Sequence, residues 1–227
     1  QFGGILKPSV EVLVPDKNIY ELPAGLEMKK APIAEPAAVS FHAVELGIKS
    51  LKKPLDQCKV LVIGGGAIGL LCGLILEKLK KCQELVLSEP NNKRLDVCKK
   101  NLSFECIDTK NNKINENSFD LIFDTVGMEI TRQSSIKFIK PGGSIIHIGL
   151  TQPSGSFDFR KATLQEITFI GTYTYSNKDF EKTLDILSKG KIGDLNWIEF
   201  RELSTGAEAF KEIHNGSCAS PKIVLIP

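Results

Sequence analysis

Three glycines and one glutamate have the types and the spacing of a dinucleotide-binding turn. Gly64, Gly66 and Gly69 follow the apolar run Val60–Ile63 with the spacing GxGxxG, and Glu89 follows a second apolar run about 20 residues further on. In such a unit the first glycine makes the tight turn, the second lets a pyrophosphate approach the backbone, and the third lets a helix pack close to the strand. The sequence therefore predicts a dinucleotide site rather than a chance match of three glycines.

The cofactor's charged and polar groups have expected partners in this unit. The pyrophosphate is expected on the unpaired N–H groups of Ala67 and Ile68, because a helix N-terminus is electropositive. Glu89 would accept hydrogen bonds from the adenosine ribose hydroxyls. Because a carboxylate repels a 2′-phosphate, the sequence favours NAD over NADP, although Lys93 and Arg94 lie close by and weaken this preference.

The elements that must position these residues alternate between strands and helices. This alternation predicts an α/β fold, a Rossmann-type doubly wound parallel sheet with helices on both faces. Runs such as VLVI and LIF fit strands that are buried on both sides. Because ligands bind at the carboxyl ends of such strands, Gly64, Glu89, Thr125 and Gly149 are expected to cluster at one edge.

The apolar periodicity sets the bounds of the predicted elements. Helices are predicted over Ala37–Lys49, Ala67–Lys81, Asn91–Leu102, Glu129–Ile139, Asp179–Lys189 and Thr205–His214. Strands are predicted over Ser9–Val14, Val60–Ile63, Phe104–Ile107, Phe119–Asp124, Ser144–Ile148, Glu166–Thr172, Trp197–Phe200 and Lys222–Ile226, with another in the apolar run before Glu89. The closing strand is expected to pair with Ser9–Val14 in a small second layer.

Composition excludes several classes of partner. The chain has 227 residues, and its net charge of +2 gives no reason to expect nucleic acid or a membrane surface. No apolar run is long enough to span a bilayer. The six cysteines form no CxxC pair, which argues against a zinc cluster or a disulfide framework and favours a reducing, cytoplasmic setting. The three histidines lack ligand spacing, and GxSxG, HExxH and Walker motifs are absent.

Five motifs, in this order along the chain, resemble a known family. They are P-x-x-N-x-Y-x-L-P, then AEPAAVSFHAV, VLVIGGGAIG, PGGSIIHIG and the closing KIVLIP. Together they resemble the medium-chain dehydrogenases/reductases, above all the zinc-type alcohol, sorbitol and threonine dehydrogenases. The resemblance covers essentially the whole chain.

The resemblance implies a domain organisation and an activity. Members carry a GroES-like catalytic domain and a Rossmann coenzyme domain, so residues 1–35 would be a remnant of the former, 36–176 the coenzyme domain, and 177–227 the return to the catalytic domain. Members transfer hydride between a nicotinamide and a small alcohol or carbonyl substrate, with a catalytic zinc that polarises the oxygen. This implies an NAD(H)-dependent oxidoreductase acting on an alcohol or polyol.

The chain departs from the family in its zinc region, which leaves an alternative open. The family's upstream cysteine, its Gly-His-Glu segment and its four-cysteine lobe are all missing, so the chain would be a fragment, a shortened paralogue or the coenzyme half. The alternative is therefore a non-catalytic or degenerate NAD-binding module, and no catalytic residue is assigned. Glu35 matches an acid that faces the metal in polyol dehydrogenases, or it simply favours the start of a helix. A methyltransferase is disfavoured, because Ile63 and Ile68 stand where that fold needs an acid and a glycine.

Matching positions extend the expected cofactor site. The resemblance places Thr125 and Val126 on the adenine–ribose side and Ile148, Gly149 and Leu150 against the nicotinamide. For two basic residues, a role at the cofactor and a simple solvent-exposed position are both open. Lys222 lies near the pyrophosphate or is a solvated strand-end lysine, and Arg94 stacks on adenine or faces solvent.

Relatives associate through an edge of the coenzyme domain. Here that edge would be Ile167–Tyr175, which is apolar and β-branched and therefore a poor strand to leave exposed. The sequence predicts a homodimer or homotetramer joined through this segment.

Overall fold

The apolar run before the glycines forms the central strand of a parallel sheet. In the computed structural model, which describes residues 13–109 and 111–227, this strand is β1 (Lys59–Ile63). Val60 and Val62 lie in one hydrophobic cluster, whereas Leu61 and Ile63 lie in another. Because neighbouring residues of a strand point to opposite faces, the sheet has a core on each side, as the α/β prediction requires.

The sheet has the strand order of the predicted Rossmann fold. The remaining strands in it are β2 (Glu84–Ser88), β3 (Glu105–Ile107), β4 (Phe119–Asp124), β5 (Ile139–His147) and β6 (Thr168–Gly171). Their order is β3-β2-β1-β4-β5-β6, and every pair is parallel. The chain order reverses between β1 and β4, so this is the switch point at which such sheets bind ligands.

Helices connect the strands, and most begin within a few residues of their predicted starts. They are α1 (Ala34–Lys49), α2 (Ala67–Leu74), α3 (Asn92–Asn101), α4 (Glu129–Phe138), α5 (Phe159–Leu164), α6 (Asn177–Ser188) and α7 (Gly206–His214). α2 continues as a π-helical turn over Ile75–Leu79, so the predicted helix Ala67–Lys81 is α-helical only in its first half. In the described residues no helix is both long and apolar enough to cross a membrane.

Further elements differ from their predictions, among them β5, α1 and α5. β5 begins at Ile139 instead of Ser144, because its first residue pairs with Phe119 before a register shift. Pro141 falls inside that irregular stretch, where the missing N–H interrupts no regular ladder. α1 starts three residues before Ala37, since Pro36 is tolerated in a first turn. The short α5 was not predicted, because it is too short to show a periodicity.

The last part of the chain forms a separate two-stranded sheet. β7 (Ile198–Glu202) and β8 (Lys222–Ile226) pair in parallel, with α7 as the connection between them. The predicted strand Ser9–Val14 lies outside the described residues except for its last two, which are not in a strand. Its pairing with β8 therefore stays a prediction.

Candidate functional site

Backbone hydrogen bonds join the carboxyl ends of three strands at the switch point. Gly64 N–H donates to Ser88 O at 2.8 Å, which ties the end of β1 to the end of β2. Thr125 follows β4, and its N–H and hydroxyl both donate to Ile63 O, at 3.1 and 2.7 Å. Gly64 and Thr125, two of the four residues expected to cluster, therefore lie at the same edge of the sheet.

The glycine turn leaves open space at the position where a pyrophosphate is expected. A side chain built on Gly66 would meet no heavy atom of the described residues within 4 Å. Gly64, by contrast, has a φ of +102°, and a Cβ on Gly69 would lie 1.8 Å from Gly64 O. The first backbone bond of α2 runs from Leu70 N–H to Gly66 O at 2.9 Å, so the N–H groups of Ala67 and Ile68 precede it. The residues present fit a bound dinucleotide.

Glu89 is buried and is held by the turn that it faces. Its side chain accepts hydrogen bonds from Gly65 N–H at 2.7 Å and from Asn91 N–H at 2.8 Å. Arg94 Nε lies 3.8 Å from Glu89 Oε1. The Nε atom of Arg94 is buried and has no hydrogen-bond partner in the described part of the chain. A cleft of about 410 Å³ opens beside the carboxylate, lined by residues 89–94 and by Gly216. Arg94 thus lies beside the carboxylate at this cleft, and whether it stacks on adenine stays a prediction.

Asp124, which the sequence suggested only as a strand end, organises the next turn. It is 1% exposed, and its Oδ1 accepts from Val126 N–H and Gly127 N–H at 3.1 and 2.9 Å. Its Oδ2 accepts from the Thr131 hydroxyl at 3.0 Å. A carboxyl group at the end of a buried strand was the available signal, and its role follows from the turn that folds back over it.

Arg132 fixes the loop that follows Leu150, and the sequence did not indicate this role. This nearly buried guanidinium donates to the carbonyl oxygens of Gly127 and Gln152, at 3.0 and 3.2 Å, and to that of Ser154. The loop it holds follows Leu150, which is 70% exposed. The exposed side chain of Leu150, next to this fixed loop, is available to pack against a flat ring such as nicotinamide.

Ile148 and Gly149 follow β5 and contact the turn that follows β4. Ile148 is buried, and its N–H donates to Asp124 O at 2.9 Å. The backbones of Gly127 and Gly149 pass so closely that a Cβ on Gly127 would lie 2.0 Å from Gly149 O. The turn after β4 and the turn after β5 therefore form one packed unit.

The two remaining predicted residues, Lys222 and Glu35, lie in other parts of the described chain. Lys222 begins β8, pairs with Ile198 of β7 and bonds with Ser220, and none of these contacts supports a place at the pyrophosphate. Glu35 is exposed in the first turn of α1. Among the described residues no three His, Cys, Asp or Glu side chains form a group that could hold a metal ion. The described residues do not fit a catalytic zinc.

The cysteines are buried thiols. All six lie in the described residues as free cysteines. Burial raises the pKa of Cys72 and Cys98 to about 12, and that of Cys82 and Cys106 to about 11. Because the thiolate is the reactive form, these side chains act as small apolar groups at neutral pH.

The sequence of this chain is similar to those of known dehydrogenases. The family model described as zinc-binding dehydrogenase matches residues 67–189. A probable D-xylulose reductase A of Aspergillus clavatus is 26% identical over 89% of this chain and 59% of its own length. The (R,R)-butanediol dehydrogenase of Saccharomyces cerevisiae is 27% identical over 96% of this chain and 59% of its own. The chain thus spans about three-fifths of the curated relatives it matches.

Solved structures share the fold. An Escherichia coli alcohol dehydrogenase, rspB, in complex with NADH superposes with a TM-score of 0.82 and 21% identity, over 94% of this chain and 64% of that one. A structure described as a zinc-binding dehydrogenase from Sinorhizobium meliloti bound to NADP superposes with a TM-score of 0.78 and 21% identity, over 95% of this chain and 64% of that one. At these identities the likeness supports the fold alone.

Proposed function

Because the chain belongs to the zinc-binding dehydrogenase family, we propose that it forms the coenzyme-binding part of an NAD(H)-dependent oxidoreductase. The reaction would transfer hydride between an alcohol or polyol and the corresponding ketone or aldehyde. The substrate class is supported by the names of the relatives, a xylulose reductase and a butanediol dehydrogenase. The open backbone at Gly66, above the start of α2, is the observation that carries the cofactor assignment.

The chain's own residues would bind and orient the cofactor. The turn Gly64–Gly69 and the N–H groups of Ala67 and Ile68 would hold the pyrophosphate. Glu89 would bind the ribose hydroxyls, as its place at the end of β2 supports. Other contacts are proposed for Arg94, Thr125 and Val126 at the adenosine end, for Ile148, Gly149 and Leu150 at the nicotinamide end, and for Lys222 at the pyrophosphate. When bound, the nicotinamide supplies the hydride chemistry.

Cofactor preference gives the test of this proposal. Removing the carboxylate in Glu89→Ala is expected to weaken NADH binding by at least about tenfold, because a hydrogen bond to a charged group is lost. NADPH should be affected less, since its 2′-phosphate no longer meets a negative charge. Both affinities are measured by fluorescence titration, with Glu105→Ala, an exposed glutamate of β3, as the control. An unchanged ratio of the two affinities would contradict the assignment.

A second candidate function is an NAD-binding module without catalysis. It is supported by Glu35, the one metal ligand expected in this chain, which is exposed in the first turn of α1 and belongs to no group of three His, Cys, Asp or Glu side chains among the described residues. Bound zinc and alcohol-dependent NADH formation, measured on the chain and on the longest gene product that contains it, separate the two candidates. Zinc with turnover supports the dehydrogenase, and NADH binding without either supports the module.

We further propose a cytoplasmic homodimer or homotetramer. The compartment is supported by six buried free thiols, which suit a reducing environment. The assembly is supported by the place of β6 at the edge of the sheet. The domain boundaries at residues 35/36 and 176/177 also stay predictions.

A further inference from the structure

Asn91 makes three separate connections at the adenosine end of the candidate site. Its backbone N–H donates to Glu89 Oε1 at 2.8 Å. Its side-chain oxygen accepts from the N–H groups of Lys93 and Arg94, at 3.0 and 3.3 Å, and so caps α3. Its side-chain nitrogen donates to Gly216 O at 2.7 Å. Through its backbone N–H and its side chain, this one residue joins the Glu89 carboxylate, a helix N-terminus and a loop 125 residues further along the chain.

The loop on the other side of this bond belongs to the C-terminal segment. It follows α7, and its Gly216 has a φ of +68°, the left-handed conformation that often ends a helix. A Cβ on Gly216 would lie 3.1 Å from Asn91 Nδ2, so the close approach depends on glycine. A second bond runs from Lys93 Nζ to Ser217 O at 3.0 Å. Two bonds therefore hold the loop against the start of α3.

The same loop borders the cleft beside Glu89. Gly216 is the one lining residue of this cleft that comes from outside the segment 89–94 in the described chain. If the loop left its place, the cleft would lose that side, and Asn91 would lose the partner of its amide nitrogen. Both changes occur next to the carboxylate that is proposed to bind ribose.

We propose that Asn91 is a positioning residue that latches the loop Asn215–Ser217 onto the adenosine cleft, so that cofactor binding and docking of the C-terminal segment favour each other. This inference rests on the proposed cofactor function. The coupling is reciprocal, because a loop that favours the bound cofactor must itself be favoured by that cofactor to the same extent.

The variant Asn91→Asp isolates the latch from the helix cap. Aspartate caps a helix as well as asparagine does, but it has no amide donor for Gly216 O. It is expected to weaken the binding of NADH and of ADP-ribose alike, by about fivefold, the loss typical of one hydrogen bond. Asn115→Asp, at an exposed loop position away from the site, is the matched control and should bind both ligands like the wild type.

Two further measurements separate a latch from a general loss of structure. In the wild type, NADH should slow hydrogen exchange at the backbone amides of residues 215–218, whereas in Asn91→Asp it should not. If Asn91→Asp does not fold, Gly216→Ala takes its place, because its Cβ crowds Asn91 Nδ2 and disfavours the positive φ. Thermal unfolding of each variant checks that it is folded.

Each outcome has a defined meaning. Weaker binding of both ligands with lost protection of the loop supports the latch. Wild-type affinity in Asn91→Asp, or a loss for NADH but not for ADP-ribose, overturns it while leaving the cofactor function intact. If the wild type and Asn115→Asp bind neither ligand, the proposed function itself fails, and the latch with it.

Discussion

The glycines at the end of β1 and in the first turn of α2 have different physical tasks. Gly64 needs its positive φ to leave the strand, and Gly69 has to lie against the backbone of Gly64. A Cβ on Gly65 would lie 2.8 Å from the Cys98 sulfur and 3.0 Å from the Glu89 side chain. Of these four glycines, only Gly66 has open space around a Cβ, with no heavy atom of the described residues within 4 Å. The fold therefore explains three of these glycines, and the proposed pyrophosphate site is the explanation that we offer for the fourth.

This difference predicts opposite outcomes for one kind of substitution at two sites. Gly66→Ala should leave the thermal unfolding midpoint nearly unchanged, because the added methyl meets no protein atom, and it should weaken NADH binding by about tenfold or more through steric exclusion of the pyrophosphate. Calorimetry and fluorescence titration measure the two effects. Wild-type affinity in this variant would remove the main support for a pyrophosphate at this turn.

Gly69→Ala is the matching variant within the fold. Its Cβ would overlap Gly64 O, so the strand–helix turn must shift. The free energy of unfolding should fall by about 1–3 kcal/mol, the usual cost of overpacking. Urea denaturation measures this loss, and an unchanged midpoint would mean that the turn is looser than the structure indicates.

At the scale of elements, α6 is held against α1 by one partly buried polar cluster. Asp179 in the first turn of α6 accepts from the hydroxyl and the N–H of Ser176, at 2.7 and 3.0 Å, and lies 2.9 Å from His42 Nδ1 on α1. Burial alone would raise the pKa of Asp179, but the hydrogen bonds from Ser176 and His42 outweigh it and lower the pKa. The ionised carboxylate therefore stabilises the contact between the two helices.

The lowered pKa of Asp179 predicts how stability depends on pH. The folded state favours the ionised form, so the contribution is complete above the unfolded-state pKa of about 3.9 and disappears as the pH falls through the lower folded-state value. Asp179→Asn should cost about 1–2 kcal/mol at pH 7 and much less near pH 2–3. Urea unfolding at several pH values measures the difference. Asp185→Asn, a more exposed position on the same helix, should show a smaller change, and an equal one would argue against the α1–α6 contact as the cause.

At the scale of the whole molecule, β6 is an edge strand of the six-stranded sheet, and among the described residues no strand is paired on its outer side. Phe169 on this strand is 44% exposed, although its ring contacts the rings of His147 and Phe157. Tyr173, just after the strand, is 60% exposed. An exposed, apolar edge of this kind is a template for pairing with a second chain.

Association through β6 is tested by a charge on that edge. Phe169→Lys should convert an oligomer into a monomer at micromolar concentration, because a buried lysine without a partner is unfavourable at an interface. Phe210→Lys on α7, whose phenylalanine is 65% exposed, should leave the assembly unchanged. Light scattering measures the mass. A monomeric wild type, or an oligomer that persists in Phe169→Lys, would rule out this edge as the contact.

Local patterns in the sequence were sufficient for the sheet and for the glycine turn. Apolar runs bounded by turn residues predicted the strands of the parallel sheet, because strands buried on both faces need apolar residues at nearly every position. The spacing of Gly64, Gly66 and Gly69 predicted the turn, since each glycine acts on its own backbone or its near neighbours. The start of β5 at Ile139 was missed, because the register shift against β4 depends on a strand that is distant in sequence.

A parallel α/β sheet with a dinucleotide-type turn can be predicted from the sequence, because those features depend on residues close together in the chain. Which polar residues support that turn depends on the tertiary fold. Arg132 and Asn91 act on backbone groups brought to them by folding, from 20 and 22 residues away in the case of Arg132 and from 125 residues away in the case of Asn91. No local spacing encodes such contacts, since a buried polar side chain is satisfied by whichever donor or acceptor the fold places beside it.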